Sequence, residues 1–368
     1  MKKVLLSLAV AGAFASVASA ADLTLYGTVD TGLSYKSIDW DGAHSYKNKG
    51  GDSFSMDSGI NSASRFGLKG NEEIAEGVFV GFVIENGFDS DTGAKSDDKR
   101  FFNRESQLFI KSSQLGTLSM GRVGTLVSDN GSYGLTDALS PFASGWSNIG
   151  SQTMVFATEA GRRDNTVTYK SPMIAGVNFY AQYAMGDRNE NKTNAEGGRY
   201  SAFGLTYQQE NLGAVFVIDY LDKDSSQVRH GKDAVTVTAG VNYTCPGATS
   251  YLGAQYFSDV DEVGGSDYGF KLPNGVTGKS YGDITGYGVV AGVDVPAMGG
   301  VAKLSLGYMD AESDRANKQV SRVLAGVGYD YPLSKRTGVY TAAGYVRDSV
   351  DNANPTMVQV VAGLKHSF

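Results

Sequence analysis

The chain has 368 residues and a formal net charge of −7, from 32 basic and 39 acidic side chains. The acidic excess argues against a nucleic-acid partner, because binding to a polyanion needs clustered basic side chains. Cys245 is the only cysteine, so an intrachain disulfide is excluded. The chain carries 48 glycines and 21 tyrosines, and tyrosine suits a membrane interface because its ring is apolar and its tip polar.

The amino-terminal segment has the features of a secretory signal peptide. Two lysines precede an apolar run from Val4 to Val17, and the small residues Ala18, Ser19 and Ala20 supply a cleavage site. The run is too short for a transmembrane helix, which needs about 20 apolar residues. We therefore expect residues 1–20 to be removed and residues 21–368 to form a single domain.

After residue 20 the chain divides into runs of alternating polarity. Alternate side chains of a strand point to opposite faces, so each run predicts a strand with one apolar and one polar face. The run 234–243 shows this well, because Val235 and Val237 alternate with Thr236 and Thr238. The predicted strands are 23–35, 65–72, 78–86, 101–111, 117–122, 166–170, 177–184, 199–208, 214–220, 234–243, 251–257, 284–295, 301–309, 320–331, 339–347 and 356–368.

These sixteen strands predict an all-β fold, a 16-stranded antiparallel transmembrane β-barrel. No apolar run of helix length follows residue 20, and without helices only a closed barrel can satisfy backbone hydrogen bonds inside a membrane. Short turns alternate with longer loops, as in outer-membrane barrels. A barrel of this width encloses an aqueous channel. The strand positions whose side chains are expected to face inward are rich in Thr, Ser, Asn, Gln, Gly and Asp, which predicts a water-filled lumen.

The alternation of polar and apolar residues stops at residues 123–161, which hold no convincing strand. Connections of this length inside a domain are uncommon and usually functional. Because a wide channel needs narrowing if large solutes are to be kept out, we expect this third outer loop to fold into the lumen.

The last predicted strand alternates cleanly and ends on Phe368. An aromatic residue at the end of a barrel strand suits the membrane interface. This ending indicates an outer membrane, and the strand must pair with the first strand, 23–35, to close the barrel. We assign His366 and Phe368 to closure and assembly, and expect Lys365 to face the lumen near one mouth.

Five short motifs, in order, resemble the Gram-negative general porins, especially the Neisseria-like, betaproteobacterial branch. They are Leu25-Tyr26-Gly27, Ser64 to Gly70, Gly121-Arg122, Arg163-Asp164-Asn165 and the ending Gly363 to Phe368. The likeness covers the whole mature chain. It implies a homotrimeric outer-membrane channel for passive diffusion of small hydrophilic solutes and ions, surrounded by lipid and lipopolysaccharide. It implies no enzymatic activity, cofactor, metal or nucleic-acid partner.

The resemblance also implies a basic wall opposite acids of the inward loop. By position, the wall comprises Arg65, Arg122 and Arg163, with the adjacent Arg162 as a further member; Arg162 and Arg163 could instead form a solvated loop end. The parity of Arg65 points it inward. The parity of Arg122 would aim it at lipid, at a cost of about 2–4 kcal/mol, so we expect the strand to end or bulge at Gly121.

The acids of residues 123–161 are few. They are Asp129, Asp137 and Glu159, of which Asp137 is best placed. The enterobacterial pattern clusters carboxylates in this loop, whereas the nearest counterpart here, Ser140 to Gly145, has none. Because the wall arginines outnumber the loop acids, we expect weak ion selectivity with a slight preference for anions.

Three other functions remain open. A substrate-specific sugar or anion porin is the nearest, although no ladder of lumen aromatics can be ordered from the sequence. A barrel enzyme is disfavoured because no Gly-x-Ser-x-Gly elbow occurs and the histidines are only His44, His230 and His366. Adhesion through the outer loops could coexist with a channel.

Overall fold

A computed structural model describes residues 22–39, 51–143, 145–146, 149–157, 161–186, 198–223, 232–264, 283–315, 317–350 and 354–368. The predicted signal peptide, Glu159, His44 and His230 lie outside the described residues. The described residues form seventeen strands in one antiparallel sheet that closes on itself. They also form two short 3₁₀-helices, Thr136–Leu139 and Gln152–Met154. No helix in the described ranges is long and apolar enough to cross a membrane.

The strands are β1 (Asp22–Asp39), β2 (Gly51–Ser58), β3 (Arg65–Ala75), β4 (Val78–Gly87), β5 (Glu105–Ser112), β6 (Gly116–Gly124), β7 (Arg162–Lys170), β8 (Val177–Ala184), β9 (Tyr200–Gln209), β10 (Leu212–Leu221), β11 (Ala234–Cys245), β12 (Ala248–Val260), β13 (Ile284–Ala297), β14 (Gly300–Ser313), β15 (Lys318–Pro332), β16 (Thr337–Val350) and β17 (Thr356–Ser367).

The barrel has sixteen strand positions around its circumference, as predicted. One side of β1 pairs with β17, and its other side pairs with β3 along Asp22–Thr28 and with β2 along Thr31–Ile38. The strands β2 and β3 therefore occupy one position, interrupted by residues 59–64. β2 lies between the predicted strands 23–35 and 65–72 and was not predicted; its alternation of Ser and Asp with Phe54 and Met56 is short. The strand predicted at 101–111 begins only at Glu105.

The closing contact joins the two ends of the described chain. The register pairs Thr28–Asp39 with Thr356–Ser367, which confirms that the last strand pairs with the first. Beyond this register, the Phe368 N–H donates to the Gly27 carbonyl (3.0 Å) and the Gly27 N–H donates to the Phe368 carbonyl (3.1 Å). The Phe368 ring occupies the space that a Cβ at Gly27 would need, so a larger residue at position 27 would displace the ring.

The outer face of the barrel is apolar. On β14, for example, Leu304, Leu306 and Tyr308 are exposed to the surroundings of the barrel, whereas Ser305 and Met309 on the opposite face are buried. Exposed leucine, valine and tyrosine side chains recur on the outer face of most strands. This apolar band is what a lipid bilayer requires of a barrel exterior.

The inner face differs from the wet lumen predicted from the sequence. On β8 to β17 it carries buried apolar side chains, among them Val217, Phe257, Met309 and Leu324, which form one cluster with residues of the connection between β6 and β7. We call residues 125–161 the long connection. Because the long connection covers this part of the wall, apolar side chains there are removed from water, which is favourable.

Inward-facing glycines make room for the long connection. They are Gly204, Gly240, Gly253, Gly288, Gly292, Gly326, Gly328 and Gly344, on strands β9, β11, β12, β13, β15 and β16. A Cβ at Gly240 would overlap the Leu139 side chain, and a Cβ at Gly288 would overlap the carbonyl oxygen of Val155. The glycines therefore form a groove along the inner wall in which the long connection lies.

Candidate functional site

A cavity of about 1110 Å³ lies between the long connection and the wall formed by β1, β3, β4 and β5. We call it the lumen cavity. Its wall side includes Tyr26, Arg65, Lys69, Glu85, Arg104 and Glu105, and its opposite side includes Val127, Asp129, Asp137, Gln152, Thr153 and Phe156. The wall side is therefore rich in charge, and the long connection contributes two carboxylates.

Arginines and glutamates alternate on the wall of the lumen cavity. The Arg104 guanidinium donates to Glu85 (Nε–Oε1 2.6 Å), and Arg65 approaches the other oxygen of Glu85 (3.6 Å). Arg162, at the start of β7, lines the same cavity, and its buried Nε and NH2 groups have no hydrogen-bond partner among the described residues. The Glu85 carboxylate thus pairs with two of the three guanidinium groups, those of Arg65 and Arg104.

Glu105 joins the wall to the long connection. Its carboxylate accepts hydrogen bonds from the backbone N–H (2.6 Å) and the hydroxyl (2.8 Å) of Ser132. Gly131 beside it has a positive φ of 65°, and a Cβ there would overlap the Glu105 carboxylate. Only glycine adopts this conformation without strain, so Gly131 lets the first part of the long connection approach Glu105.

The middle of the long connection packs on the barrel wall at β14 and β16. Phe142 and Trp146 form a buried cluster with Tyr340 of β16, and the Trp146 and Tyr340 rings lie edge to face at 5.5 Å. Lys303 donates to the Pro141 carbonyl (2.9 Å) and pairs with Asp294 (3.1 Å). These contacts hold the middle of the long connection against β14 and β16.

The two acids of the long connection that the structure describes, Asp129 and Asp137, line the lumen cavity together. Burial raises the pKa of Asp129 to about 6, and the neighbouring Asp137 carboxylate adds to the rise because like charges disfavour ionisation. Asp129 therefore gains or loses its proton close to neutral pH.

Of the predicted arginines, the structure brings Arg65 and Arg162 to the lumen cavity, whereas Arg122 and Arg163 are not among its lining residues. Arg122 pairs with Asp164 (2.6 Å) and donates to the Asn103 carbonyl (2.7 Å). The predicted bulge is confirmed, because the register of β6 with β7 shifts between Gly121 and Val123 and Gly121 has a φ of 141°.

Arg104, Glu85 and Glu105 were not predicted from the sequence. Arg104 lay inside the strand predicted at 101–111. Because β5 begins only at Glu105, strand alternation does not indicate which way the Arg104 side chain points. A signal was present for the glutamates, since a charged residue within a barrel strand is costly on the lipid face and so indicates the lumen. The register places Glu85 directly opposite Glu105.

Comparison with known proteins gives consistent results. Residues 7–351 match the family model of the Gram-negative porins. The chain is 28% identical to an outer membrane porin protein of Bordetella pertussis and 25% identical to the major outer membrane protein P.IB of Neisseria meningitidis, with 100% of each chain covered in both cases. The fold is similar to the anion-selective porin from Comamonas acidovorans, with a TM-score of 0.70, 21% identity and coverage of 95% of this chain and 100% of that chain.

Proposed function

The chain belongs to the Gram-negative porin family, and from this premise we propose that its channel is weakly selective, with a slight preference for anions. Members of this family are channels rather than enzymes. The protein is an outer-membrane porin, a 16-stranded barrel whose water-filled channel lets small hydrophilic solutes and ions diffuse across the outer membrane. We further propose that the long connection narrows the channel to the lumen cavity.

The balance of charge around the lumen cavity carries the selectivity proposal. Five basic and five acidic side chains line it among the described residues. The bases are Lys36, Arg65, Lys69, Arg104 and Arg162, and the acids are Asp57, Glu85, Glu105, Asp129 and Asp137. Equal numbers predict weak selectivity, since rings of one sign of charge produce strong selectivity. Protonation of Asp129, whose pKa is raised to about 6, leaves five basic against four acidic charges, so the residual charge tilts toward positive as the pH falls.

The reversal potential in a KCl gradient across a planar bilayer tests this proposal. We expect a small potential with the sign of chloride preference for the natural chain. Replacing Arg65, Arg104 and Arg162 together by glutamine leaves two basic against five acidic side chains, so the sign should change to potassium preference. The control is Arg122→Gln, which does not line the lumen cavity and should keep the original sign. Clear potassium preference of the natural chain would contradict the proposal.

The selectivity should also depend on pH through Asp129. The pKa of this carboxyl is raised to about 6, so it is ionised at pH 7.5 and protonated at pH 5. Loss of this negative charge should increase the chloride preference between those values. In Asp129→Asn the charge is absent at both, so the reversal potential should already be shifted at pH 7.5 and should change little on acidification. If the reversal potential of Asp129→Asn changed between pH 7.5 and pH 5 as much as that of the natural chain, the change would come from another group.

A sugar-specific channel is not favoured by the lining residues. The only aromatic side chains that line the lumen cavity in the described ranges are Tyr26 and Phe156, and two rings on opposite sides do not form a ladder. The solved Comamonas acidovorans porin of similar fold is named as anion-selective, which supports the direction of the proposed preference.

Assembly is the remaining part of the proposal. Porins of this family form oligomers in the outer membrane, and we propose a homotrimer on the strength of the family resemblance. We also propose that residues 1–20 are a signal peptide removed on export. Phe368 and His366 are proposed to act in closure and insertion of the barrel, supported by the two backbone hydrogen bonds between Phe368 and Gly27.

A further inference from the structure

A buried ion pair lies on the inner wall of the barrel and is separate from the charged residues that line the lumen cavity. Arg322 of β15 lies directly opposite Asp348 of β16. The two side chains form a bidentate pair (Nε–Oδ1 2.7 Å and NH2–Oδ2 2.8 Å), and each residue is 1% exposed. Neither residue lines the lumen cavity, so the pair does not act on permeating ions by contact.

The guanidinium of Arg322 also holds the second half of the long connection. Its NH1 donates to the carbonyl oxygen of Met154 (2.8 Å), the last residue of the 3₁₀-helix Gln152–Met154. Gly264, after β12, lies against the same nitrogen, and its N–H donates to the Phe156 carbonyl (3.1 Å). Arg322 therefore lies beneath two chain segments that are themselves hydrogen-bonded to each other.

The surroundings of this pair are apolar, so stabilisation of the barrel alone does not explain why two charged side chains are buried there. Val320, Leu324 and Val346 belong to the same buried cluster as Met154. Charges buried in such a place lose their hydration, and well-packed apolar side chains are often equally stabilising. An apolar side chain at position 322 could fill the space, but it could not donate a hydrogen bond to the Met154 carbonyl.

The chain on both sides of Met154 borders the lumen cavity. Gln152, Thr153 and Phe156, all within two residues of Met154 in the chain, line the cavity. We propose that Arg322, oriented by Asp348, positions this segment and thereby sets the width and steadiness of the channel. The inference rests on the proposal that the long connection narrows the channel.

Single-channel recordings of four variants test this role. Arg322→Met should broaden the distribution of open-channel conductance and increase the current noise, because residues 152–156 lose their anchor. The charge swap Arg322→Asp with Asp348→Arg keeps an ion pair between β15 and β16 but moves the guanidinium one strand away from Met154. It should fold, yet keep the altered conductance and noise. The apolar double variant Arg322→Met with Asp348→Leu should behave like the swap, even if the single variant does not fold.

The matched control is Arg315→Met, which removes ion pairs with Asp283 (3.3 Å) and Asp261 (3.7 Å), neither of which belongs to the long connection. This control should keep the natural conductance and noise. A swap or apolar double variant that folds and also conducts like the natural chain would overturn the positioning role. The reversal potential, measured on the same channels, reports the charge proposal separately, so a failure of one inference can be told from a failure of the other.

Discussion

Replacing Gly288 by valine should give a barrel that folds less stably and has a wider, less uniform channel. A Cβ at this position would overlap the carbonyl oxygen of Val155. That oxygen belongs to the backbone and cannot rotate away, so the long connection must move from the wall. Overpacking of this kind costs about 1–3 kcal/mol. Equilibrium unfolding in urea and single-channel conductance would measure the two effects.

Ala291→Val is a suitable control for Gly288→Val. It lies on the same strand, β13, but on the exposed outer face, where an added side chain contacts no part of the long connection. We expect natural stability and conductance for this control. If Gly288→Val also conducted like the natural chain, the long connection would not depend on the groove of glycines.

Removing the Glu105 carboxylate should have the second large effect. Glu105→Ala loses both hydrogen bonds from Ser132, and a hydrogen bond to a charged group contributes about 1.5–3 kcal/mol. We expect the free energy of unfolding to fall by about 3 kcal/mol or more, since bonds to charged groups are the stronger ones. The loss of a negative charge should also shift the reversal potential toward chloride preference.

Ser132→Ala separates the two consequences of Glu105→Ala. It removes the hydroxyl bond to Glu105 and the bond that the hydroxyl accepts from Gln107 (3.1 Å), and it leaves both the backbone bond and the charge of Glu105 in place. We expect a smaller loss of stability and an unchanged reversal potential. Equal losses of stability in Glu105→Ala and Ser132→Ala would show that the backbone bond contributes little.

Alternating polarity was sufficient to predict most strands of this barrel, because one face of each strand meets lipid. It failed at β2, whose eight residues are rich in serine and aspartate, and at the start of β5, where Phe101 and Phe102 suggested a strand but form a turn. The bulge at Gly121 could be predicted because the alternative was an arginine in lipid.

The lumen was harder to predict than the barrel. The side chains of Val217, Phe257 and Met309 face inward, and alternation alone does not reveal that the long connection covers them. The pairing of Arg104 with Glu85 likewise depends on where the chain turns before β5. Such contacts join residues from distant parts of the sequence, so local patterns do not contain them.

We propose that ions pass only between the charged wall and the long connection. Cysteine accessibility tests it directly, in a Cys245→Ser background because Cys245 is exposed. Lys69 lines the lumen cavity, whereas Ser305 faces inward but is 0% exposed. A bulky, negatively charged methanethiosulfonate reagent should reduce the current through Lys69→Cys channels and leave Ser305→Cys channels unchanged. Rapid block of Ser305→Cys channels, with Lys69→Cys channels unaffected, would show that ions take another path.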